Sequence, residues 1–456
     1  MKKLIFSALL LFLCRAAAAA PIDVKRIEAV ADAAARKQLA TGAVPGITIA
    51  VAQNGEIVFT RGYGKANVEL NVAATPDTVY ALTSVSKQFT AALIMRLVEA
   101  GKIALDDPIS KYLPDFPLQG NVVTIRHLLT HTSGMKDYGW RHEKSPQWMR
   151  LDVTYPMMIE LWGNQPFDAK PGEKHEYNNL GYYLLGEIIA KVAGVPYAQA
   201  IERDLLQPLG LRETVYCGLR RIVPNRAQGY EYDNGTLTNV RFVNVDVFGG
   251  AGGLCSDAND LIRWTNLLHS GKAVSPESLR LMTSPFVVAS GEKAPYGYGL
   301  KLDVLEGHRK VFHGGTRPGG TYLTHYPDDG WTIAVLTNSA TVGREKASEI
   351  EEAIARVVLG VEFKELPLDA KAIAMYEGTY TFELTGRTLD IRVYGEGNEL
   401  HAQATGQRSM RLLHQGNHEF VSSADSDIRL TFAIENGRAT GATLHQKGRH
   451  IPGKRK

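Results

Sequence analysis

The order of strand and helix patterns constrains the fold of this chain more than any other feature. Residues 46–53 and 56–63 alternate like strands around Asn54-Gly55, a dipeptide typical of two-residue hairpin turns. Helical patterns fill the middle of the chain, and a helix over residues 344–358 follows the later strands. Those later strands are predicted over residues 298–304, 310–313, 321–326 and 332–338. Strands on both sides of a helical middle predict an α+β domain with a largely antiparallel sheet.

A second domain is predicted after this one. A length of 456 residues exceeds one compact core and predicts two or three domains. Residues 363–372, which include Pro367, have the composition of a linker. Residues 373–456 then read as a small all-β barrel or sandwich, because short alternating segments are separated by turn residues. The alternating segments are residues 378–384, 388–394, 399–404, 428–433 and 442–446.

The first residues resemble an export signal. Lys2 and Lys3 precede an apolar run over residues 4–13, and an alanine tract over residues 16–20 follows. The run is too short to span a bilayer, and the small residues suit a signal peptidase. We therefore predict a signal peptide over residues 1–19, a first folded domain over residues 20–362, and a periplasmic or secreted bacterial protein. No later stretch is long and apolar enough for a membrane helix, so no stable membrane insertion is expected after cleavage.

Charge and cysteine content limit the partners and the chemistry. The formal net charge is +3, and removal of the signal would bring it to about zero. A near-neutral chain with interspersed charges gives no reason to expect a nucleic-acid partner. Cys217 and Cys255 remain after cleavage. They can pair in an oxidising compartment or stay separate buried thiols, and the residues alone leave both readings open.

A serine and a lysine open an apolar helical run that ends near Gly101. Ser84 and Lys87 are three residues apart and share one helix face. A serine hydroxyl is a poor nucleophile until a base takes its proton, and a lysine is that base only when burial or positive charge lowers its pKa. The alternative is a solvated lysine in the first turn. Ser-x-x-Lys also occurs at Ser133 and Ser290, both in loop-like stretches.

Two more polar segments complete a candidate site. Tyr177-Asn178-Asn179 lies on a polar loop, and His313-Gly314-Gly315-Thr316 ends a strand run. Glycines there let the backbone approach a substrate and offer N–H groups to an oxyanion. His127 and His131 stand at i and i+4, but no further ligand is placed with them, so capping or packing is favoured over a metal site. No metal and no cofactor are expected.

The ordered set resembles the serine β-lactamase and penicillin-binding protein superfamily. The likeness is greatest to the class C β-lactamase group, with its D-Ala-D-Ala carboxypeptidases, D-aminopeptidases and family VIII esterases. It runs from about residue 24 to residue 359. The segments that carry it are residues 84–90, 128–134, 177–182 and 252–254. The resemblance implies a β-lactamase-like fold, with an antiparallel sheet flanked by helices and a helical lobe, and the C-terminal domain is similar to a lipocalin-like appendage.

The resemblance also implies roles for individual residues. Ser84 would be the acylated nucleophile and Lys87 its hydrogen-bonded partner. Tyr177 would share the proton transfer, either as a phenolate or through Lys87. Asn179 would orient the substrate amide. Backbone N–H groups of Ser84 and Thr316 would form the oxyanion hole.

The third motif departs from the family pattern. Where the lactamases carry Lys-Thr-Gly, this chain has His313-Gly314-Gly315, which weakens a carboxylate site because histidine is only partly charged near neutral pH. Arg317 either compensates or is a solvated loop residue. The sequence thus predicts an exported serine hydrolase that acts through an acyl-enzyme on small-molecule or peptide substrates, with D-amino-acid peptides or small esters favoured over β-lactams. The alternatives are a β-lactamase proper, a non-catalytic penicillin-binding or wall-associated module, and a β-domain that binds an apolar ligand.

Overall fold

The computed structural model describes residues 23–138, 150–361, 365–384, 387–407, 409–423, 428–446 and 449–456. The predicted signal peptide and part of the predicted linker lie outside these residues, and the predicted domain boundaries stay predictions. The described helices are α1 (Val24–Leu39), α2 (Lys87–Glu99), α3 (Ile125–Leu129), α4 (Tyr155–Met158), α5 (Asn179–Ala193), α6 (Tyr197–Ile201), α7 (Ala258–His269), α8 (Pro276–Met282), α9 (Gly343–Val358) and α10 (Ala370–Tyr376).

A seven-stranded antiparallel sheet forms the centre of the first domain. The strands are β1 (Gly46–Gln53), β2 (Glu56–Asn67), β3 (Val72–Ala73), β9 (Lys301–Leu305), β10 (His308–Thr316), β11 (Gly320–Tyr326) and β12 (Trp331–Thr337). They run in the order β3-β2-β1-β12-β11-β10-β9, so the first hairpin pairs with the last strand of the domain. In that pairing Ile47 lies opposite Thr337. The α+β prediction is confirmed, including the largely antiparallel sheet.

Helices cover both faces of this sheet. Helices α1 and α9 pack on one face through residues such as Ile27 and Ile350. The other face carries a larger helical lobe built around α2, whose buried residues occur on all sides of the helix. The ring of Phe89 stacks on Trp264 of α7, with ring centres 4.0 Å apart, and Gln88 Oε1 accepts a hydrogen bond from the indole N–H. A helix enclosed on all sides holds its first turn, and therefore Ser84, in one place.

Three short strands and a further hairpin complete the first domain. The strands β4 (Tyr80–Ala81), β5 (Val215–Tyr216) and β8 (Leu254–Ser256) form a small sheet in the order β4-β8-β5, and β6 (Tyr230–Asp233) pairs with β7 (Thr236–Asn239). Val215 of β5 lies opposite Cys255 of β8. The sulfurs of Cys217 and Cys255 form a disulfide with a Cα–Cα distance of 5.6 Å. The sequence left open whether these cysteines form a disulfide or stay separate thiols, and in the structure they form a disulfide.

The C-terminal domain is a closed barrel of eight antiparallel strands. Its core is aromatic and aliphatic, with Phe382, Phe420 and Phe432 at the centre. An ion pair between Arg429 of the barrel and Glu306, in the turn before β10, joins the barrel to the sheet of the first domain. The strands are β13 (Gly378–Leu384), β14 (Arg387–Glu396), β15 (Glu399–Ala404), β16 (Met410–Gly416), β17 (Glu419–Ser422), β18 (Arg429–Glu435), β19 (Arg438–Gln446) and β20 (Arg449–Arg455).

No single helix within the described residues is long and apolar enough to cross a membrane. One pair, Asn179–Ala193 with Tyr197–Leu206, meets the length and composition only when the two are taken together, and the pair is bent by 76°. Its side chains, Leu184 and Ile201 among them, are buried in the core of the first domain.

Candidate active site

Ser84 lies in a 3-10 turn, Thr83–Ser86, that leads directly into α2. The residue before it, Thr83, has a φ of +48°. This is the left-handed region, which is strained for a β-branched side chain. The buried surroundings of Thr83 hold this conformation, and it fixes the direction in which the chain enters the turn. Ser84 itself is partly exposed, as a nucleophile has to be.

Lys87 is fully buried beside this serine. Its Nζ lies 3.2 Å from Ser84 Oγ, 2.9 Å from Asn179 Oδ1 and 2.8 Å from the carbonyl oxygen of Ala251. The pKa of Lys87 is lowered to about 7, and burial is the main cause; the charge of Asp137 opposes the shift and the charge of Lys301 adds to it. The alternative of a solvated lysine in the first turn is therefore wrong, because this side chain has no exposed surface.

The contacts of Lys87 determine where its lone pair points when the amine is neutral. The oxygens of Asn179 and Ala251 can only accept hydrogen bonds, so they take the two protons of a neutral amine. The remaining direction faces Ser84 Oγ, whose hydroxyl can donate its proton. A lysine with a pKa of about 7 is neutral in a large fraction of molecules at neutral pH. The pair is thus a nucleophile and a base in hydrogen-bond contact.

Tyr177 closes the other side of the pair. Lys87 Nζ lies 5.0 Å from the centre of its ring. Burial raises the pKa of Tyr177 far above its usual range, and the neighbouring Ser84 hydroxyl lowers it by a smaller amount. The phenol is therefore protonated at neutral pH. Of the two roles that the resemblance allowed, the structure favours transfer through Lys87 over a phenolate base.

Asn179 is held by an acid that sequence reasoning missed. Its Nδ2 donates to Asp137 Oδ2 at 3.0 Å while its Oδ1 accepts from Lys87, so both ends of the amide are fixed. Asp137 also accepts from the backbone N–H groups of Asn179 at 2.6 Å and Leu180 at 3.1 Å, at the start of α5. Burial raises the pKa of Asp137, although these hydrogen bonds lower it in part. A single aspartate in a loop gives no sequence signal for this contact.

His131 fixes the loop that carries Tyr177. Its carbonyl oxygen accepts from the Glu176 N–H at 2.8 Å, and its Nδ1 accepts from the Asn178 N–H at 3.0 Å. Burial lowers the pKa of His131 well below its usual value, so the ring is neutral. The sequence favoured capping or packing over a metal site for this histidine, and His131 is indeed packed in the core. The other histidine of the pair, His127, accepts the Thr124 N–H at 3.2 Å in a capping box at the start of α3.

The third motif enters the site on β10. Gly315 packs directly on the chain before the nucleophile, since a Cβ there would overlap Thr83 Oγ1 and the carbonyl oxygen of Leu82. The glycine therefore brings the backbone of Thr316 next to the turn that contains Ser84. At Gly314 a Cβ would lie 3.1 Å from carbons of Arg344 and Tyr322. Close packing therefore requires a glycine at position 315, whereas at position 314 a small shift of the neighbouring side chains would make room for a Cβ.

His313 does not supply a positive charge. It is buried, its Nδ1 donates to the carbonyl oxygen of Gly314 at 2.8 Å, and its Nε2 lies 3.1 Å from the hydroxyl of Tyr296. With Nδ1 as the donor, Nε2 accepts the Tyr296 proton. Burial lowers the pKa of His313 well below its usual value, and Lys87 and Lys301 lower it further. The sequence predicted a partly charged histidine, and the structure contains a neutral one.

Arg317 is directed away from this constellation. Its guanidinium forms a salt bridge with Glu231 at 2.5 Å, in the small hairpin of β6 and β7. Arg317 therefore does not take the place of the lysine that the third motif lacks. The other Ser-x-x-Lys motifs are also elsewhere: Lys136 pairs with Asp168 at 3.5 Å, and Ser290 lies in an exposed loop. Within the described residues no group of three or more His, Cys, Asp or Glu side chains could hold a metal ion.

Comparison with known proteins accounts for this arrangement. The β-lactamase family matches residues 31–356, which is more than half of the chain. The chain belongs to the β-lactamase family. A domain of unknown function, DUF3471, matches residues 364–455, which contain the barrel. Sequence similarity and site geometry agree, because the family match includes Ser84, Lys87 and Tyr177.

Individual members of the β-lactamase family are similar over most of the chain. A penicillin-binding protein of Bacillus subtilis (strain 168) is 30% identical over 431 residues, which is 88% of this chain and 93% of that protein. A D-aminopeptidase of Gluconobacter oxydans (strain 621H) is 26% identical over 78% of this chain and 66% of its own length. The structure of an octameric penicillin-binding protein homologue from Pyrococcus abyssi covers 95% of this chain and 100% of its own, with 29% identity and a TM-score of 0.63.

The predicted fold and enzyme class follow from these results. The β-lactamase-like first domain and the C-terminal β-barrel are both confirmed. Family membership and a serine in contact with a buried lysine make this protein a serine hydrolase. The roles of Ser84, Lys87, Tyr177 and Asn179 stay predictions that their geometry supports.

Proposed function

We propose that this protein is exported and hydrolyses amides or esters through an acyl-enzyme on Ser84, with D-amino-acid peptides and small esters favoured over β-lactams. One observation carries the proposal: a fully buried Lys87, with a pKa lowered to about 7, lies 3.2 Å from Ser84 Oγ. Burial of a lysine costs desolvation free energy, and the need for a neutral amine as a base explains why Lys87 is buried. A D-aminopeptidase among the relatives supports the substrate class.

Acylation follows from these positions. Neutral Lys87 accepts the Ser84 proton as Oγ attacks the substrate carbonyl carbon. Backbone N–H groups of Ser84 and Thr316 are the proposed donors to the oxyanion that forms. When the intermediate collapses, the bond to the leaving group breaks, and the leaving group takes the proton from the Lys87 ammonium, directly or through the Tyr177 hydroxyl. The product is an ester on Ser84.

Deacylation uses the same base. Lys87 is neutral again once the leaving group has taken the proton, and it can accept a proton from a water molecule that attacks the ester. Collapse of the second intermediate returns that proton to Ser84 Oγ and releases the acid. Asn179, fixed between Lys87 and Asp137, keeps the amine in place through both steps. Four proton transfers, two in each half, complete the cycle without a cofactor.

Export is supported by two features of the chain. The signal-like sequence over residues 1–19 precedes the first described helix. The disulfide between Cys217 and Cys255 lies in the first domain, and disulfides persist in oxidising compartments. N-terminal sequencing of the protein recovered from a bacterial periplasm or medium tests the export, with a start at Ala20 expected.

Covalent labelling tests the hydrolase. We expect a fluorophosphonate to add once to the protein at Ser84, and p-nitrophenyl butyrate and D-alanine p-nitroanilide to be hydrolysed. Ser84→Ala should lose both label and turnover while it keeps the thermal unfolding midpoint. Ser290→Ala, in the exposed Ser-x-x-Lys loop, is the matched control and should keep both. A folded parental protein that is never labelled would instead favour the non-catalytic binding module.

A further inference from the structure

A cavity of about 990 Å³ lies where the barrel meets the hydrolase domain. His175, Tyr177 and Tyr296 line it on the catalytic side, so it begins at the tyrosine that contacts the base. Leu384 and Arg449 are among the residues that line it from the barrel. A substrate bound at Ser84 and extending past Tyr177 therefore meets the barrel. The C-terminal domain thus contributes a wall to the space beside Tyr177.

Lys301 places a positive charge in this cavity. It lies on the edge strand β9, opposite Phe312 of β10, and its Nζ is 5.8 Å from the centre of the Tyr177 ring. Its charge lowers the pKa of Lys87 and that of His175, so its electrostatic effect reaches the catalytic base.

The third motif offers no competing cation. His313 is neutral, and Arg317 binds Glu231 outside the cleft. The lining of the cavity carries three cations, with Lys293 beside Lys301 and Arg449, and two acids, Asp303 and Glu383. Both acids are exposed, whereas Lys301 is half-buried next to Tyr177. The inner end of the cavity is therefore its positive end.

We propose that Lys301 and Arg449 bind a carboxylate at the end of the substrate that lies away from the scissile bond. The enzyme then prefers esters and amides that carry a negatively charged tail over neutral ones of the same shape, and the barrel takes part in that choice. This inference rests on the proposed hydrolase activity at Ser84. Because the cavity lies beyond Tyr177, a flexible tail can reach it, whereas the carboxylate of a compact lactam, held close to the scissile bond, cannot.

Matched substrate pairs test the proposal. The first pair places the charge on the acyl side: mono-p-nitrophenyl glutarate beside the p-nitrophenyl ester of glutaramic acid. The second places it on the leaving group: 3-carboxyphenyl butyrate beside 3-carbamoylphenyl butyrate. In each pair a carboxylate is replaced by an amide of nearly the same size. The measured quantity is the ratio of kcat/KM for the charged and neutral members, in the parental protein, Lys301→Met, Arg449→Gln and Lys37→Met.

We expect the parental ratio to exceed roughly tenfold in one pair, since one charge-assisted hydrogen bond gives about that factor or more. Lys301→Met should bring that ratio close to one, and Arg449→Gln should lower it several-fold. Lys37→Met, on the exposed side of α1, should leave it unchanged. Ratios near one for both pairs in an active parental protein would refute the carboxylate site. If the ratio is unchanged in Arg449→Gln but falls in Lys301→Met, the barrel has no role in the choice of substrate. Absence of turnover with every substrate would refute the proposed function itself.

Discussion

His131 and Tyr177 pack with their ring centres 4.3 Å apart, and His131 also accepts hydrogen bonds from the backbone N–H groups of the residues before and after that tyrosine. One histidine thus fixes both the ring and the backbone of the residue that faces the nucleophile. The histidine itself has a φ of +57° and is 1% exposed. A residue held in an uncommon conformation next to a catalytic group is a candidate positioning residue.

This relationship predicts a graded effect of two substitutions at one position. His131→Ala removes the acceptor for the Asn178 N–H, whereas His131→Asn keeps a side-chain oxygen and tolerates a positive φ. We expect the alanine variant to lose about 10- to 100-fold in kcat per active site, because displacement of a positioned group by about 1 Å costs that much. The asparagine variant should recover a large part of the loss. Active sites are counted by complete titration with a fluorophosphonate, which separates loss of folded protein from loss of rate. Equal per-site rates in the alanine and parental proteins would contradict the positioning role.

The pKa of Lys87 predicts the pH dependence of the reaction. The neutral amine is the active form, so kcat/KM for a neutral ester should fall as the pH drops through about 7, by about tenfold per pH unit below it. The charge of Lys301 lowers the pKa of Lys87, so Lys301→Met should move this fall to higher pH. Rate profiles from pH 5 to 9 for both proteins give the answer. A plateau that extends down to pH 5 would exclude Lys87 as the base.

A neutral His313 predicts poor turnover of β-lactams. A charge-assisted hydrogen bond to a carboxylate contributes roughly 1.5–3 kcal/mol, and this site lacks the lysine that the lactamases use for it. We expect kcat/KM for a penicillin and a chromogenic cephalosporin to be lower than for a butyrate ester or a D-Ala-containing dipeptide on one preparation. If either lactam leads the others by more than about tenfold, or ~1.4 kcal/mol in the transition state, the inference from His313 fails.

The disulfide between Cys217 and Cys255 predicts a loss of stability on reduction. The cysteines are 38 positions apart, and closing a loop of that size contributes about 2–4 kcal/mol to the free energy of unfolding. The double variant Cys217→Ala with Cys255→Ala should therefore unfold at lower denaturant concentration, with a similar slope. A thiol count under denaturing, non-reducing conditions should find no free thiol in the exported parental protein. Two free thiols in that protein would contradict the prediction.

Much of the framework could be predicted because its signals are local. The strand over residues 46–53 has the predicted bounds, the helix predicted over residues 344–358 begins one residue earlier, and the hairpin turns at Asn54-Gly55 as expected. Ser84 and Lys87 were found because both sit in one helical turn, where spacing alone sets their contact. In the barrel, five of the eight strands were predicted. The strands β16 and β20 were missed because polar residues such as His414 and Lys454 interrupt their alternation, and β17 was missed because it has only four residues.

The rest of the site is assembled by the tertiary fold. The third acceptor of Lys87 is the backbone carbonyl of Ala251, and a backbone atom has no sequence signature. Asp137 contacts Asn179 from 42 positions away, and Lys301 on β9 lies close to the ring of Tyr177, which is on a loop. The pKa of Lys87 depends on burial, which the residue type does not reveal. Motif reasoning thus finds the groups that react and misses the groups that hold and tune them.

The pairing of β1 with β12 also sets when this domain can fold during synthesis. Thr337 leaves the ribosome about 290 residues after its partner Ile47, which at common elongation rates is roughly 15–60 s later. Until then β1 pairs only with β2, and its other edge is open to any extended chain nearby. A message cut short before β12 therefore encodes a chain with an aggregation-prone edge and no complete sheet. The sheet of this domain can therefore be completed only during the last third of translation.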